Sequence, residues 1–140
     1  MLDLKLDTEF GARVLQRLQS EPIIWLTTVN ASGMPQPSPV WFLWEAGSVL
    51  IYSKPNVPKL RNIARNPSVA LNFDGNGQGG NIIVLTGTAQ IEADAAPAHR
   101  VAEYAQKYGA YMARNGWSNE QFAQLYSVAI RVTPQDVRGH

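Results

Sequence analysis

Pro35, Pro37 and Pro39 stand at alternate positions in "PQPSPVWFLW" (35–44), at the head of an extended apolar stretch. No other feature of the chain narrows its fold as much. Backbone N–H groups of a strand point alternately to opposite edges, so all three missing donors fall on one edge. That edge cannot form a regular ladder. Two readings of the run stay open. Either it is an extended lead-in with pairing beginning at Val40, or it is a gap in a barrel wall where a flat ligand meets backbone groups of Val40 and Trp41.

Around this run, short apolar segments alternate with turn chemistry. A first helix is expected over 8–20, with Phe10, Val14, Leu15 and Leu18 on one stripe and Asp7 or Thr8 as cap. "IIWLTTVN" (23–30) reads as a strand and "ASG" (31–33) as a turn. The proline-headed run is a second strand, "EAG" turns the chain, and "SVLIYS" (48–53) is a third. A short helix opens at Pro58, where a missing N–H costs nothing, and Asn66-Pro67 ends it. "SVALNFD" (68–74) and "NIIVLTGTAQIEA" (81–93) are strands around the glycine loop "GNGQGG", and Gly87 suggests a bulge or bend in the longer one. Asp94 can cap a long helix to about residue 113, with Val101, Tyr104, Ala105, Tyr108 and Met112 on its buried face. Ser118 and Gln121 have capping-box spacing for another, short helix, and "YSVAIRVT" (126–133) is the last strand. This order, rich in successive hairpins, predicts a mainly β (α+β) fold: a six-stranded antiparallel barrel with flanking helices.

The chain has 140 residues, 45% of them hydrophobic, which suits a single domain over 1–140 with a real core. Twelve Lys and Arg against eleven Asp and Glu leave a net charge of +1, no footprint for bulk nucleic-acid binding. Any positive field must be local. The absence of cysteine removes disulfides, thiolate nucleophiles and Cys-ligated metals together. His99 and His140 are the only histidines, so neither a metal cluster nor a Ser-His-Asp set is expected. "MLDLKLDTEF" has no apolar signal region, and no apolar run approaches the roughly 20 residues of a membrane span. The expectation is a soluble cytoplasmic protein.

The local field has an evident place. Lys54, Lys59, Arg61 and Arg65 fall within "LIYSKPNVPKLRNIARNPSVAL" (50–71). On the helix from Pro58, Leu60, Ile63 and Ala64 are expected to face the core, with the i,i+4 pair Arg61 and Arg65 in solvent. Lys59 lies in the first turn, beside unpaired N–H groups and the positive dipole end. A cation there is unfavourable by roughly a few tenths of a kcal/mol unless an anion answers it. Ser53 adds a hydroxyl just before, and hydroxyl, amides and ammonium together suit a phosphate. A solvated surface helix is the plain alternative.

With these residues in view, "IIWLTTVNASGMPQPSPVWFLWEAGSVLIYSKPNVPKLRNIARNPSVALNF" closely resembles the FMN-binding split-barrel superfamily of pyridoxamine 5'-phosphate oxidase. Within it, the chain looks like the branch that uses the deazaflavin coenzyme F420. The resemblance continues through "LTGTAQI" and "AIRVTPQDVRG" and so covers nearly the whole chain. It implies a split barrel and a homodimer with two cofactor sites at its interface. It also implies that Val40, Trp41 and Phe42 lie along the tricyclic ring, and that Tyr52, Ser53 and Lys59 hold the ribityl and phosphate end. Lys54 and Arg61 are expected to be spare cations for the glutamate tail that distinguishes F420 from FMN, with solvated surface as the plain alternative, and Asn81 completes the candidate cofactor-binding set. Pro58 stands where the oxidases carry a phosphate-binding arginine, which argues against pyridoxamine-phosphate oxidase activity itself.

No catalytic side chain is named by the sequence, but hydride transfer asks a protein mainly for binding, orientation and exclusion of water. The leading expectation is an oxidoreductase passing a hydride between F420, alternatively FMN, and a small conjugated acceptor. A non-catalytic flavin- or deazaflavin-sequestering protein shares the same pocket. A barrel binding single-stranded nucleic acid by stacking is a third reading, against which the balanced charge counts. "GNGQGG" lacks the strand–GxGxxG–helix context of a dinucleotide fingerprint and reads as a hairpin loop, with a backbone rim over the cofactor as its minor alternative. Trp41 and Phe42 alternate, so one is expected to line the ring pocket and the other to fill the barrel. Trp117 falls in a loop, where it is core packing or a substrate lid. Tyr104, Tyr108 and Tyr111 look like more aromatic surface than one small barrel needs, which favours a dimer.

Overall fold

The strand headed by the three prolines ends after six residues, and this break organises the fold. The computed structural model describes residues 1–140. Its strands are β1 (Ile24–Val29), β2 (Pro35–Val40), β3 (Leu43–Glu45), β4 (Ser48–Ser53), β5 (Ser68–Asn72), β6 (Ile83–Ile91) and β7 (Val128–Gly139). The helices are α1 (Glu9–Ser20), α2 (Pro58–Arg65), α3 (Ala102–Arg114) and α4 (Asn119–Leu125). All seven strands form one antiparallel sheet, in the order β2-β1-β5-β6-β7-β4-β3. Only Trp41 and Phe42 separate its two edge strands in the chain. In a flat sheet those edges would stand about 29 Å apart, at about 4.8 Å per strand. The three Cα steps from Val40 to Leu43 reach about 11 Å at most. The sheet must therefore curl until its edges meet. The six strands expected are seven because the 35–44 run turns a corner at Trp41-Phe42 and changes partner from β1 to β4.

Pairing of β2 begins at Pro35, not at Val40: Val29 faces Pro35, Thr27 faces Pro37 and Trp25 faces Pro39. The lead-in reading is thereby excluded. The Asn30 N–H donates to the Met34 carbonyl at 3.0 Å, which sets the phase of the ladder. Hydrogen bonds to β1 then run through Gln36, Ser38 and Val40, and the prolines turn their missing donors outward. The outer edge of β2 offers carbonyl acceptors and no donors.

Local signals hold at most helix ends. The Thr8 side chain caps α1, Pro58 opens α2, and Ser118 with Gln121 closes a capping box on α4. The register of β6 against β7 shifts between Thr86 and Gly87, the bulge that the glycine announces. The helix expected from Asp94 begins instead at Ala102. Pro97 disfavours helical backbone at Ala96, a 3-10 turn occupies Ala98–Arg100, and the Tyr52 hydroxyl holds the Ala96 carbonyl at 2.7 Å. The last strand outruns its expected end at Thr133, because β6 pairs with it as far as Gly139.

β4 is buried on both faces and divides the core in two. Val49 and Ile51 join Val14, Leu18, Ile24, Leu26 and Phe42 inside the barrel. Leu50 and Tyr52 join Tyr104, Tyr108, Met112 and Phe122 beneath α3 and α4. Arg17 of α1 is buried at the barrel's end, where it donates to the Asp74 and Asn81 carbonyls and pairs with Glu21.

Candidate functional site

A cavity of about 510 Å³ opens where β2 leaves the sheet and α2 begins. Its polar end is built from the β4–α2 connection. Ser53 closes β4 and is buried, Lys54 follows in the open, and the turn passes through Asn56 in the left-handed region (φ 63°). Val57 is the N-cap of α2 and has no side chain able to satisfy the amides of the first turn. Lys59 lines the cavity there, half-buried, and burial pulls its pKa below the ordinary lysine value. The ion pairs of the chain involve only Arg17 and Arg131, so no carboxylate answers Lys59. The helix is anchored from behind by a buried hydrogen bond, Asn62 Nδ2 to Thr28 Oγ1 at 3.0 Å. Asn62 takes the inward place expected for Ala64, which is exposed.

The other end is aromatic. Trp41 lies face to face with Tyr108 (centroids 4.6 Å, planes 8° apart) and stacks on Phe122 at 5.3 Å. Trp117 and Tyr126 continue the wall, packed on each other edge to face at 5.8 Å. Trp117 is a fixed wall because two helix ends pin it. Gly116 takes the left-handed conformation after α3 (φ 78°), and the Trp117 N–H returns to the Met112 carbonyl at 2.9 Å. Ser118 then caps α4 immediately. Lys54 Nζ sits 5.5 Å from the Tyr126 ring centroid, at the junction of the two ends.

Of the residues singled out from sequence, Val40, Trp41, Tyr52, Ser53, Lys54 and Lys59 come together on this cavity. Phe42, Arg61 and Asn81 do not line it. Phe42 is the barrel-filling member of the Trp41–Phe42 pair, wholly buried, with its N–H bonded to the Tyr108 hydroxyl and its carbonyl accepting from Lys107. Arg61 points to solvent from the far face of α2. Asn81 sits at the opposite end of the barrel, its carbonyl held by Arg17. No residue of the 75–80 loop reaches the cavity either, and that loop is the β5–β6 hairpin connection. Sequence reasoning passed over Asn115, Phe122 and Tyr126, which line the wall. Nothing local marks them, since each reaches the cavity only when α3 and α4 pack on the sheet.

Tyr52 also borders a second cavity of about 520 Å³, where Arg131 bridges Glu45 and Glu92. Burial, and then the charge of Glu45, push the Tyr52 hydroxyl up to about 12. Its proton is held on the Ala96 carbonyl, so Tyr52 is a neutral wall between the cavities and not an acid or base.

The family pattern described as "Pyridoxamine 5'-phosphate oxidase" matches residues 10–140. A comparison with curated proteins finds no match. Among solved structures, an F420 reductase aligns at 22% identity and TM-score 0.65, over 88% of this chain and 94% of its own. A conserved hypothetical protein of Mycobacterium tuberculosis, Rv2991, aligns at 20% and TM-score 0.72, over 94% and 82%. HutZ, the heme storage protein of Vibrio cholerae, aligns at 18% and TM-score 0.63, over 99% and 95%. These likenesses show the split-barrel fold.

Proposed function

This chain belongs to the pyridoxamine 5'-phosphate oxidase family, and on that premise we propose that its cavity holds a phosphate-bearing deazaflavin, F420, with FMN as the alternative, and that the protein is an oxidoreductase acting on a small conjugated acceptor. The observation that carries this is a half-buried lysine without an acidic partner, set at one end of a cavity whose remaining walls are aromatic. An anion at that end would return to Lys59 the charge stabilisation that burial removes. A flat ring suits the other end.

Lys59, the Ser53 hydroxyl and the amides of the first turn of α2 would hold the phosphate. Val40 and Trp41 would flank the ring. The outward Pro39 carbonyl would accept from a ring N–H, an acceptor that no neighbouring strand uses. Trp117, Phe122 and Tyr126 exclude water from that end. When bound, the cofactor supplies the hydride chemistry, and the chain binds, orients and shields it. Lys54 at the mouth is the cation available to the glutamate tail of F420. Arg61 is on the wrong face to assist.

The similarity to a heme storage protein suggests a second ligand class, but no histidine lines the cavity to serve as an iron ligand. The deciding experiment is side-by-side titration with F420 and FMN at low and high salt, followed by oxidation of the reduced cofactor against a panel of conjugated acceptors. F420 should bind more tightly at low salt, with a margin that shrinks as salt rises. Equal affinities at low salt would move the choice to FMN. Tight binding without turnover of any acceptor would favour the sequestering role.

A further inference from the structure

The two residues on which the barrel turns its corner, Trp41 and Phe42, belong to neither flanking strand. No ladder holds them. What holds them is α3. The Tyr108 hydroxyl accepts the Phe42 N–H at 2.8 Å and also lies 2.9 Å from the Phe42 carbonyl and 2.8 Å from the Pro22 carbonyl. Lys107, one residue before it, donates from Nζ to the same Phe42 carbonyl at 2.8 Å. Its ammonium also lies 3.7 Å from the centroid of the Phe42 ring. Both backbone polar groups of Phe42 are thus taken by one helix, and the Tyr108 ring backs Trp41 across its face.

A lysine in this place is costly. Lys107 is half-buried, has no ion pair, and burial brings its pKa down to about 8, with the Glu21 charge only partly opposing. Glu21 is itself engaged with Arg17. A methionine could fill the same space without the desolvation. The charge instead grips one carbonyl, that of Phe42, next to the residue that forms the ring wall of the cavity.

We propose that Lys107 and Tyr108 are positioning residues: from outside the cavity they fix the Trp41–Phe42 corner, and so hold Trp41 as a rigid face for a planar ligand. The proposal rests on the reading of the cavity as a flavin-type site, and its test is divided so that the two can fail separately.

The first arm needs no ligand. The indole N–H resonance of Trp41, identified by its loss in Trp41→Phe, is followed in the unmodified protein and in Lys107→Met, Lys107→Arg and Tyr108→Phe. The resonance should shift or broaden in Lys107→Met and Tyr108→Phe and return in Lys107→Arg, which restores a cationic donor. The second arm titrates FMN. Lys107→Met and Tyr108→Phe should each weaken FMN binding by about three- to tenfold, the range of one lost hydrogen bond, with Lys107→Arg within about twofold of the unmodified protein. A merely structural role would lower the unfolding temperature of the variants and leave Trp41 and FMN affinity unchanged, which would overturn the proposal. If FMN and F420 bind none of the proteins, the flavin reading falls and the first arm still decides this one. An unmoved Trp41 resonance overturns it.

Discussion

Lys59 is held in a surrounding that works against its charge, and it stands beside the uncapped first turn of α2. Replacing it with alanine should weaken FMN or F420 binding by about 1.5–3 kcal/mol, the worth of a charge-assisted hydrogen bond. Arg65→Ala, on the exposed side of the same helix, should leave affinity unchanged. The pH dependence follows from the direction of the shift. The ammonium form binds phosphate more tightly than the neutral amine, and in the free protein burial has lowered the pH at which that form is lost. Affinity should therefore fall, on the alkaline side, at a lower pH than an exposed lysine would give. The bound phosphate pulls the pKa back up, so the fall begins at the pKa of the free protein and levels off only above the higher pKa of the complex. Calorimetric titration across alkaline pH measures both. Equal small effects of Lys59→Ala and Arg65→Ala would remove the anion site.

Among the elements, the β6–β7 ladder carries the largest share of the sheet, and its bulge depends on one missing side chain. A Cβ on Gly87 would lie 2.1 Å from the Thr133 carbonyl oxygen and 2.8 Å from the Pro134 Cα. Both neighbours are backbone, so neither can swing aside. Gly87→Ala should destabilise the fold by about 1–3 kcal/mol, as overpacking does. Gly109, inside α3, meets nothing within 4 Å of an added Cβ. Gly109→Ala should instead stabilise by about 0.5–1 kcal/mol, through helix propensity alone. Denaturant unfolding of the two variants reads both signs. Loss of stability in Gly109→Ala, or none in Gly87→Ala, would contradict this account of the bulge and the helix.

At the scale of the whole molecule, the aromatic residues of α3 offer a second copy of the chain little surface. Of Tyr104, Tyr108 and Tyr111, the surplus aromatic surface of the sequence reading, the first two are wholly buried within their own chain and only Tyr111 is partly exposed. Among the exposed large hydrophobics, Ile23 (37% exposed) lines the cavity and Met34 (57%) immediately precedes β2. The outer edge of β2 has no donors, so a partner cannot extend the sheet there. A dimer that used this surface would have to form by packing of faces. We expect sedimentation at micromolar concentration to show a dimer, with an interface above about 2,000 Å². A folded monomer under those conditions would refute it.

The sequence by itself determined the features that short-range chemistry controls. A helix cap at Asp7 or Thr8, the capping box at Ser118, the start of α2 at Pro58 and the bulge at Gly87 all follow from a few adjacent residues. The polar end of the cavity was legible for the same reason, since Ser53, Lys54 and Lys59 lie within seven residues on one connection. Only the tertiary structure decided how Trp41 is backed and which residues close the aromatic end. Phe122 and Tyr126 stand some eighty residues from Trp41, and they meet it only when α3 and α4 pack on the sheet. It also decided that Arg61 and Asn81 lie away from the cavity, because nearness in sequence does not say which face of a helix or which end of a barrel a side chain occupies. The break of the 35–44 run into two strands belongs to this second group. A strand turns where its pairing partner changes, and the partner, β4 against β1, is chosen by the closure of the sheet and by no residue in the run itself.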